Sequence, residues 1–88
     1  MIEREAKIVN QLGLHARPAA QLVKLASGFK AEIEVVKEGM AVNGKSIMGV
    51  MMLAAECGSS VTVRADGPDE HEAVEALLAL VAGGFGEA

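Results

Sequence analysis

One stretch decides how this 88-residue chain folds: Gly13-Leu14-His15-Ala16-Arg17-Pro18-Ala19-Ala20. Proline is tolerated in the first turn of a helix, where the N–H that it lacks would have had no partner. Pro18 therefore predicts a helix that begins at about Ala16, with His15 at the N-cap or next to it. The glycine before them predicts a turn between a preceding strand and this helix.

The start of this predicted helix has the chemistry of an anion site. The first N–H groups of a helix lack partners and lie at the positive end of its dipole, so they suit a phosphate. Arg17 adds a permanent cation with a planar donor fork. A neutral imidazole beside such a site is a nucleophile that can accept a phosphoryl group. The stretch therefore predicts His15 as acceptor, with Arg17 and the N–H of Ala16 holding the phosphate.

Hydrophobic spacing predicts four strands and three helices in the order βαββαβα. Strands are expected at residues 2–9, 31–37, 40–42 and 61–65, and helices at about 16–27, after Ser46, and at about 70–82. This order is that of an α+β open-faced sandwich, a four-stranded antiparallel sheet with three helices on one face. Because the chain is long enough for one core and shows no linker or internal repeat, we expect a single domain over residues 1–88.

The second predicted helix has more apolar residues than one buried face can use. Val50, Leu53 and Ala54 share one face, which we expect to pack on the core. The opposite face is equally apolar, and methionine is favoured on adaptable binding surfaces. We therefore predict a docking patch, called here the Met patch, formed by Ile47, Met48, Met51 and Met52.

Two further expectations concern helix surfaces. The stripe of the first helix that faces away from the core carries Arg17, Ala20 and Lys24, so Ala20 and Lys24 are candidate partner contacts on the flank of the anion site. Lys24 is equally explained as a solvated charge. Asp69 and Glu72 have the spacing of a capping box at the start of the last helix.

Composition excludes several classes of function. A net charge of −4 and the absence of Trp and Tyr argue against nucleic-acid binding, and a protein partner is favoured. A single cysteine, Cys57, allows no intramolecular disulfide and favours the cytoplasm. The first residues contain no apolar run of signal or membrane length, so we expect no membrane insertion. Cys57, His15 and His71 lack the spacing of metal ligands, so no metal site is expected.

The stretch around His15 resembles the active-site motif of the histidine-containing phosphocarrier protein (HPr) family of the bacterial phosphoenolpyruvate-dependent phosphotransferase system. A second block, Lys-Ser-Ile-Met-Gly-Val-Met at residues 45–51, resembles the regulatory-serine motif of that family. The two blocks have the separation usual in the family, and the resemblance covers essentially the whole chain.

The resemblance implies a carrier rather than an enzyme. Such a carrier would accept a phosphoryl group from phosphorylated enzyme I on Nδ1 of His15 and pass it to an enzyme IIA, without a metal or organic cofactor. It also implies regulatory phosphorylation of Ser46 by an HPr kinase/phosphorylase, and a sheet in which the last strand lies between the first and the second. We expect a monomer.

Alternatives remain at this stage. The sequence departs from the commonest sugar-transport members of the family at Gly44, Met52 and residues 54–57. An alternative interpretation is therefore a nitrogen-branch or regulatory paralogue. A different class of function is an interaction module that carries no phosphate, in which His15 and Arg17 would have no purpose. Ser46, taken alone, is simply a good N-cap.

Overall fold

The structure, a computed structural model, describes residues 1–87 and has the predicted order of elements. The elements are β1 (Ile2–Lys7), α1 (Ala16–Ser27), β2 (Glu32–Lys37), β3 (Met40–Asn43), α2 (Ile47–Met52), β4 (Ser60–Asp66) and α3 (Glu70–Ala82), followed by a 3₁₀ turn, Gly84–Gly86. The predicted bounds of α1 are confirmed, whereas β1 ends two residues earlier than predicted. The α+β open-faced sandwich is confirmed.

The four strands form one antiparallel sheet in the order β1-β4-β2-β3. β4 lies between β1 and β2, so that Ala65 is opposite Ile2 on one side and Ile33 on the other. This insertion agrees with the arrangement that the resemblance implied. β2 and β3 are joined by Glu38 and Gly39, whose φ angles of 49° and 81° are those of the two-residue turn that matches strand twist.

The helices cover one face of the sheet and the core lies between them. Alternate residues of β2 and β4 point into this core, as do the inner faces of α1 and α3; the most completely buried include Leu22, Val35, Val63, Leu77 and Val81. Each such side chain contributes about 1.5–3 kcal/mol relative to exposure. On the opposite face of the sheet Arg64 donates to Glu3 at 2.8 Å and to Glu34 at 3.2 Å, which bridges three neighbouring strands.

The predicted capping box at the start of α3 is wrong. Asp69 occupies the N-cap, but its side chain makes no capping hydrogen bond to α3. Its carboxylate instead accepts the backbone N–H groups of Lys30 and Ala31, both at 2.8 Å. These bonds, chiefly the one from Lys30, hold the pKa of Asp69 below its usual value. A short carboxylate side chain bonds whichever unpaired N–H groups lie nearest, and here those belong to the segment that leads into β2.

The expectation that Ala54 faces the core is also wrong. α2 ends at Met52, and Ala54 is exposed with a φ of 49°, a left-handed conformation. This turn re-aims the chain, so that Ala55, 3% exposed, is the next buried residue. The ammonium group of Lys37 lies 3.4 Å from the carbonyl oxygen of Leu53, where a cation stabilises the end of a helix.

Gly13 lets the loop before α1 approach the segment after α2. The N–H of Leu14 donates to the carbonyl of Ala55 at 2.8 Å. Gly13 itself has a φ of +67°, and a Cβ at this position would clash with the carbonyl oxygen of Ala55. Both the dihedral angle and the space therefore require glycine.

We predict that Gly13→Ala lowers the free energy of unfolding by about 2–3 kcal/mol, because strain in the left-handed region adds to a clash with backbone that cannot move away. Gly39→Ala is the matched control, since Gly39 also has a positive φ, +81°, but its Cβ would meet nothing within 4 Å. The control is expected to lose about 1 kcal/mol. Urea unfolding of both variants measures the difference, and equal losses would contradict the steric argument.

Candidate functional site

His15 is the N-cap of α1, as the sequence predicted. Its backbone is extended, with φ −75° and ψ −172°, and its side chain makes no capping hydrogen bond. The carbonyl of His15 accepts the N–H of Ala19 at 3.0 Å, which closes the first turn. Pro18 is buried in that turn and has no N–H to donate. The N–H groups of Ala16 and Arg17 are therefore the donors that the helix start can offer to an anion.

The imidazole of His15 is oriented by a carboxylate from the other end of the chain. Nε2 lies 3.0 Å from Oε2 and 3.2 Å from Oε1 of Glu87. The His15 side chain is 36% exposed and that of Glu87 22% exposed, so the contact is partly shielded from water. An ionised carboxylate only accepts hydrogen bonds, which assigns the ring proton to Nε2 and leaves the lone pair of the neutral ring on Nδ1.

Asn10 holds this carboxylate in turn. Its side chain is 2% exposed, and Nδ2 donates to Oε1 of Glu87 at 3.1 Å and to the carbonyl of Gly13 at 2.7 Å. The hydrogen bond from His15 is the largest cause of a lowered pKa at Glu87, the bond from Asn10 is the next, and the charge of Arg17 adds to them. Glu87 is thus kept ionised, and Arg17 lies near enough to influence it.

The Met patch is exposed as predicted. Ile47 and Met51 are 46% and 42% exposed, and Met48 and Met52 are 74% and 65% exposed. On the other face of α2, Val50 is fully buried. The short helix therefore contributes one face to the core and presents the other to solvent.

The patch and the His15 site share one surface. α2 packs against α1, and the bond between Leu14 and Ala55 joins the start of α1 to the segment that follows α2. Ala20 and Lys24 lie on the exposed side of α1, one and two turns beyond Ala16. All the site residues predicted on α1 and α2 thus belong to neighbouring helices.

Ser46 begins the helix that carries the Met patch. It is the N-cap of α2, and its Oγ accepts the N–H of Gly49 at 3.1 Å. The neighbouring Lys45 donates from Nζ to the carbonyl of Phe29 at 2.7 Å, just beyond the end of α1. Ser46 is thus shown as a helix cap, and its neighbour Lys45 ties the start of α2 to the segment that follows α1.

Sequence reasoning missed three residues near His15. No sequence motif contains Asn10 or Glu87. Their hydrogen-bond partners are either remote in sequence or backbone groups, so no local pattern indicates them. Leu12, which is 72% exposed in the loop before α1, did carry a signal, because a large apolar residue in a polar turn is a candidate for contact with a partner.

Residues 1–87 contain no group of three His, Cys, Asp or Glu side chains arranged to hold a metal ion. Over the same residues, every helix is too short or too polar to span a membrane. Cys57 is an exposed free thiol whose Sγ lies 3.8 Å from the carbonyl oxygen of Val9.

The sandwich fold presents a histidine at an open helix start and an exposed apolar patch on the neighbouring helix, an arrangement that suits a small phosphocarrier domain. The family described as "PTS HPr component phosphorylation site" matches residues 2–83. This chain belongs to the HPr family of the phosphotransferase system.

Relatives of this family are similar to the chain over nearly its full length. Phosphocarrier protein HPr of Cupriavidus necator is 55% identical over 87 residues, which are 99% of this chain and 98% of the relative. The crystal structure of HPr-C-His from Thermoanaerobacter tengcongensis has a TM-score of 0.96 at 48% identity and covers 100% of this chain and 99% of that chain. A crystal structure of an HPr dimer from the same organism has a TM-score of 0.79 at 48% identity, covering 99% of this chain and 100% of that one.

Proposed function

We propose that this chain accepts a phosphoryl group from phosphorylated enzyme I on Nδ1 of His15 and passes it to an enzyme IIA of the sugar phosphotransferase system. The observation that carries the proposal is the position of His15 at a helix start without a side-chain cap, where the N–H groups of Ala16 and Arg17 can meet a phosphoryl group. The contact of Nε2 with Glu87 further favours Nδ1 as the nitrogen that bonds to phosphorus. A phosphohistidine carrier needs no metal or organic cofactor for this transfer.

Arg17 and the N–H groups of Ala16 and Arg17 are the groups we assign to the phosphoryl oxygens. Donors already fixed in place stabilise charge that develops during transfer without reorganising. Arg17 is an exposed residue, so its guanidinium can turn toward an incoming phosphoryl group. Pro18 contributes by fixing where the helix begins.

The Met patch, together with Ala20 and Lys24, is the surface we assign to enzyme I and enzyme IIA. A carrier must serve a donor and an acceptor in turn, and both need to reach the same histidine. A surface of flexible thioether side chains suits two partners of different shape. We further propose that Ser46 is a site of regulatory phosphorylation by an HPr kinase/phosphorylase, and that these reactions take place in the cytoplasm.

We propose a monomer in solution during transfer, because each partner must reach both His15 and the Met patch. A related HPr, from Thermoanaerobacter tengcongensis, also has a crystal structure described as a dimer. A regulatory paralogue would use the same surface, and a module that carries no phosphate would use the patch alone. Phosphorylation of His15 separates this last alternative from the carrier.

The first prediction of this proposal concerns the acceptor. We expect His15→Ala to abolish acid-labile, base-stable labelling by enzyme I and labelled phosphoenolpyruvate, because no other side chain lies at the helix start with a free imidazole lone pair. His71→Ala, which removes an exposed histidine in the first turns of α3, is the control and keeps full labelling. Label retained in His15→Ala would overturn the proposal.

The second prediction concerns docking. We expect Met51→Glu to weaken binding to enzyme I by about tenfold or more with the melting temperature unchanged, because a carboxylate facing an apolar partner must lose its water without gaining a counter-ion. Ala79→Glu is the control: it places the same charge on the exposed face of α3, and α1 packs against both α3 and α2. Calorimetric titration measures both variants. Equal affinities would remove the patch from the interface.

The third prediction concerns Ser46. A carboxylate or phosphate at this N-cap lies beside unpaired N–H groups at the positive end of α2, so Ser46→Asp is expected to melt no lower than the parent chain. Its charge at the edge of the patch adds repulsion and desolvation on docking, and we expect about tenfold weaker binding to enzyme I. Ser46→Ala, which melts lower but binds normally, is the control. Unchanged affinity in Ser46→Asp would leave Ser46 as a helix cap.

A further inference from the structure

The contact between the two ends of the chain is the feature that the proposed function has not fully used. Asn10 precedes α1, and Glu87 follows the 3₁₀ turn after α3. Their side chains meet at the His15 ring, 3.1 Å apart from Nδ2 to Oε1. Neither residue belongs to the sequence motif around His15.

We propose that Glu87 is a positioning residue for phosphoryl transfer: its carboxylate, held by Asn10, keeps the ring proton of His15 on Nε2 and so presents Nδ1 as the nucleophile. This inference rests on the proposed function. Two carboxylate oxygens at 3.0 and 3.2 Å from Nε2 limit rotation of the ring as well as the choice of tautomer, as the carboxylate partner of a metal-bound histidine does.

Asn10 is built to hold this carboxylate. Both groups that contact its side-chain nitrogen, the Gly13 carbonyl and the Glu87 carboxylate, are acceptors, so the amide cannot be turned round. Its Oδ1 is buried without a hydrogen-bond partner, a burial that ordinarily disfavours the folded state. The hydrogen bonds of the Asn10 side chain come from Nδ2, which joins the loop before His15 to the carboxylate on its ring.

The backbone that delivers Glu87 is equally specific. Gly84, Phe85 and Gly86 have φ angles of 67°, 57° and 73°, a run of left-handed residues that includes one large side chain. Such a conformation persists where the surroundings impose it. Phe85 is 3% exposed and belongs to the core, so the aromatic ring anchors the turn that brings Glu87 back to the site.

The contact also fits the charges of the transfer step. The lone pair of Nδ1 forms a bond to phosphorus while the bond from phosphorus to the nitrogen of the donor phosphohistidine breaks and its electron pair returns to that donor ring. The His15 ring thereby gains positive charge while its proton stays on Nε2. A carboxylate hydrogen-bonded to Nε2 stabilises this charge without accepting the proton.

The test compares Glu87→Ala and Glu87→Gln with Glu75→Ala, which removes the same charge from the exposed face of α3. The first readout is the ¹⁵N chemical shifts of the His15 ring in the unphosphorylated protein, which report which nitrogen carries the proton. The second is the split between kcat and KM for phosphorylation by enzyme I. Thermal melts accompany both.

We expect Glu87→Ala to show ring shifts averaged between the two tautomers and a kcat lowered by about tenfold, the lower end of what loss of a histidine's orienting partner causes at metal sites. KM stays unchanged, because the Met patch is intact. Glu87→Gln keeps an acceptor oxygen but no charge, so its kcat is expected to lie between those of the parent chain and Glu87→Ala. Asn10→Ala is expected to lower kcat in the parent chain but not in Glu87→Ala, because it acts through that carboxylate.

The outcomes separate the two proposals. Ring shifts and kcat that are the same in Glu87→Ala as in Glu75→Ala, in a protein that is phosphorylated normally, overturn the positioning role and leave the carrier function standing. A parent chain that takes up no label contradicts the carrier function itself, while the ring shifts still report whether Glu87 fixes the tautomer. A lowered melting temperature with unchanged kcat would make Glu87 a structural tether only.

Discussion

Strand β4 is the element on which the rest of the structure depends. It pairs with β1 on one side and β2 on the other, and its inward residues Val61, Val63 and Ala65 are at most 1% exposed. The pairing continues past the strand, since Ile8 exchanges backbone hydrogen bonds with Gly58 and Ser59. This extension carries the chain from β1 directly to the loop of His15, and holds that loop beside the segment that follows α2. The surface proposed for partners is thus set by backbone pairing.

Local signals predicted the elements but not their neighbours. Alternation in β2 and the position of Pro18 depend on residues close in sequence, and they predicted strand and helix correctly. Alternation says which side of a strand is buried, but it is silent on which strand lies next to it, so the place of β4 came from the family resemblance alone. The capping box predicted at Asp69 was wrong for the same reason, because the partners of its carboxylate, Lys30 and Ala31, lie 39 and 38 residues away.

The candidate site likewise combines features that local sequence predicts with one that depends on contacts remote in sequence. The position of His15 at the N-cap follows from a short motif, and the exposure of the Met patch follows from a six-residue helix that can bury only one face. Their roles in transfer and docking remain predictions. The link between Asn10 and Glu87 spans 77 residues and requires Phe85 in a left-handed conformation that side chains rarely adopt. The glycines on both sides of Phe85 indicate a turn, but nothing local indicates that it returns Glu87 to the ring of His15.

The three helix starts show what the site demands. α2 is capped by Ser46, and α3 has Glu70 and Glu72 in its first turn, whereas α1 has neither a side-chain cap nor an acidic residue there. A capping side chain typically contributes about 1 kcal/mol, which α1 gives up by having His15 at that position. The imidazole is turned instead toward Glu87, so it leaves the first N–H groups of α1 without a side-chain cap. Under the proposed function a phosphoryl group on His15 accepts hydrogen bonds from these N–H groups, so the helix start that lacks a side-chain cap before phosphorylation is the one that holds the phosphoryl group afterwards.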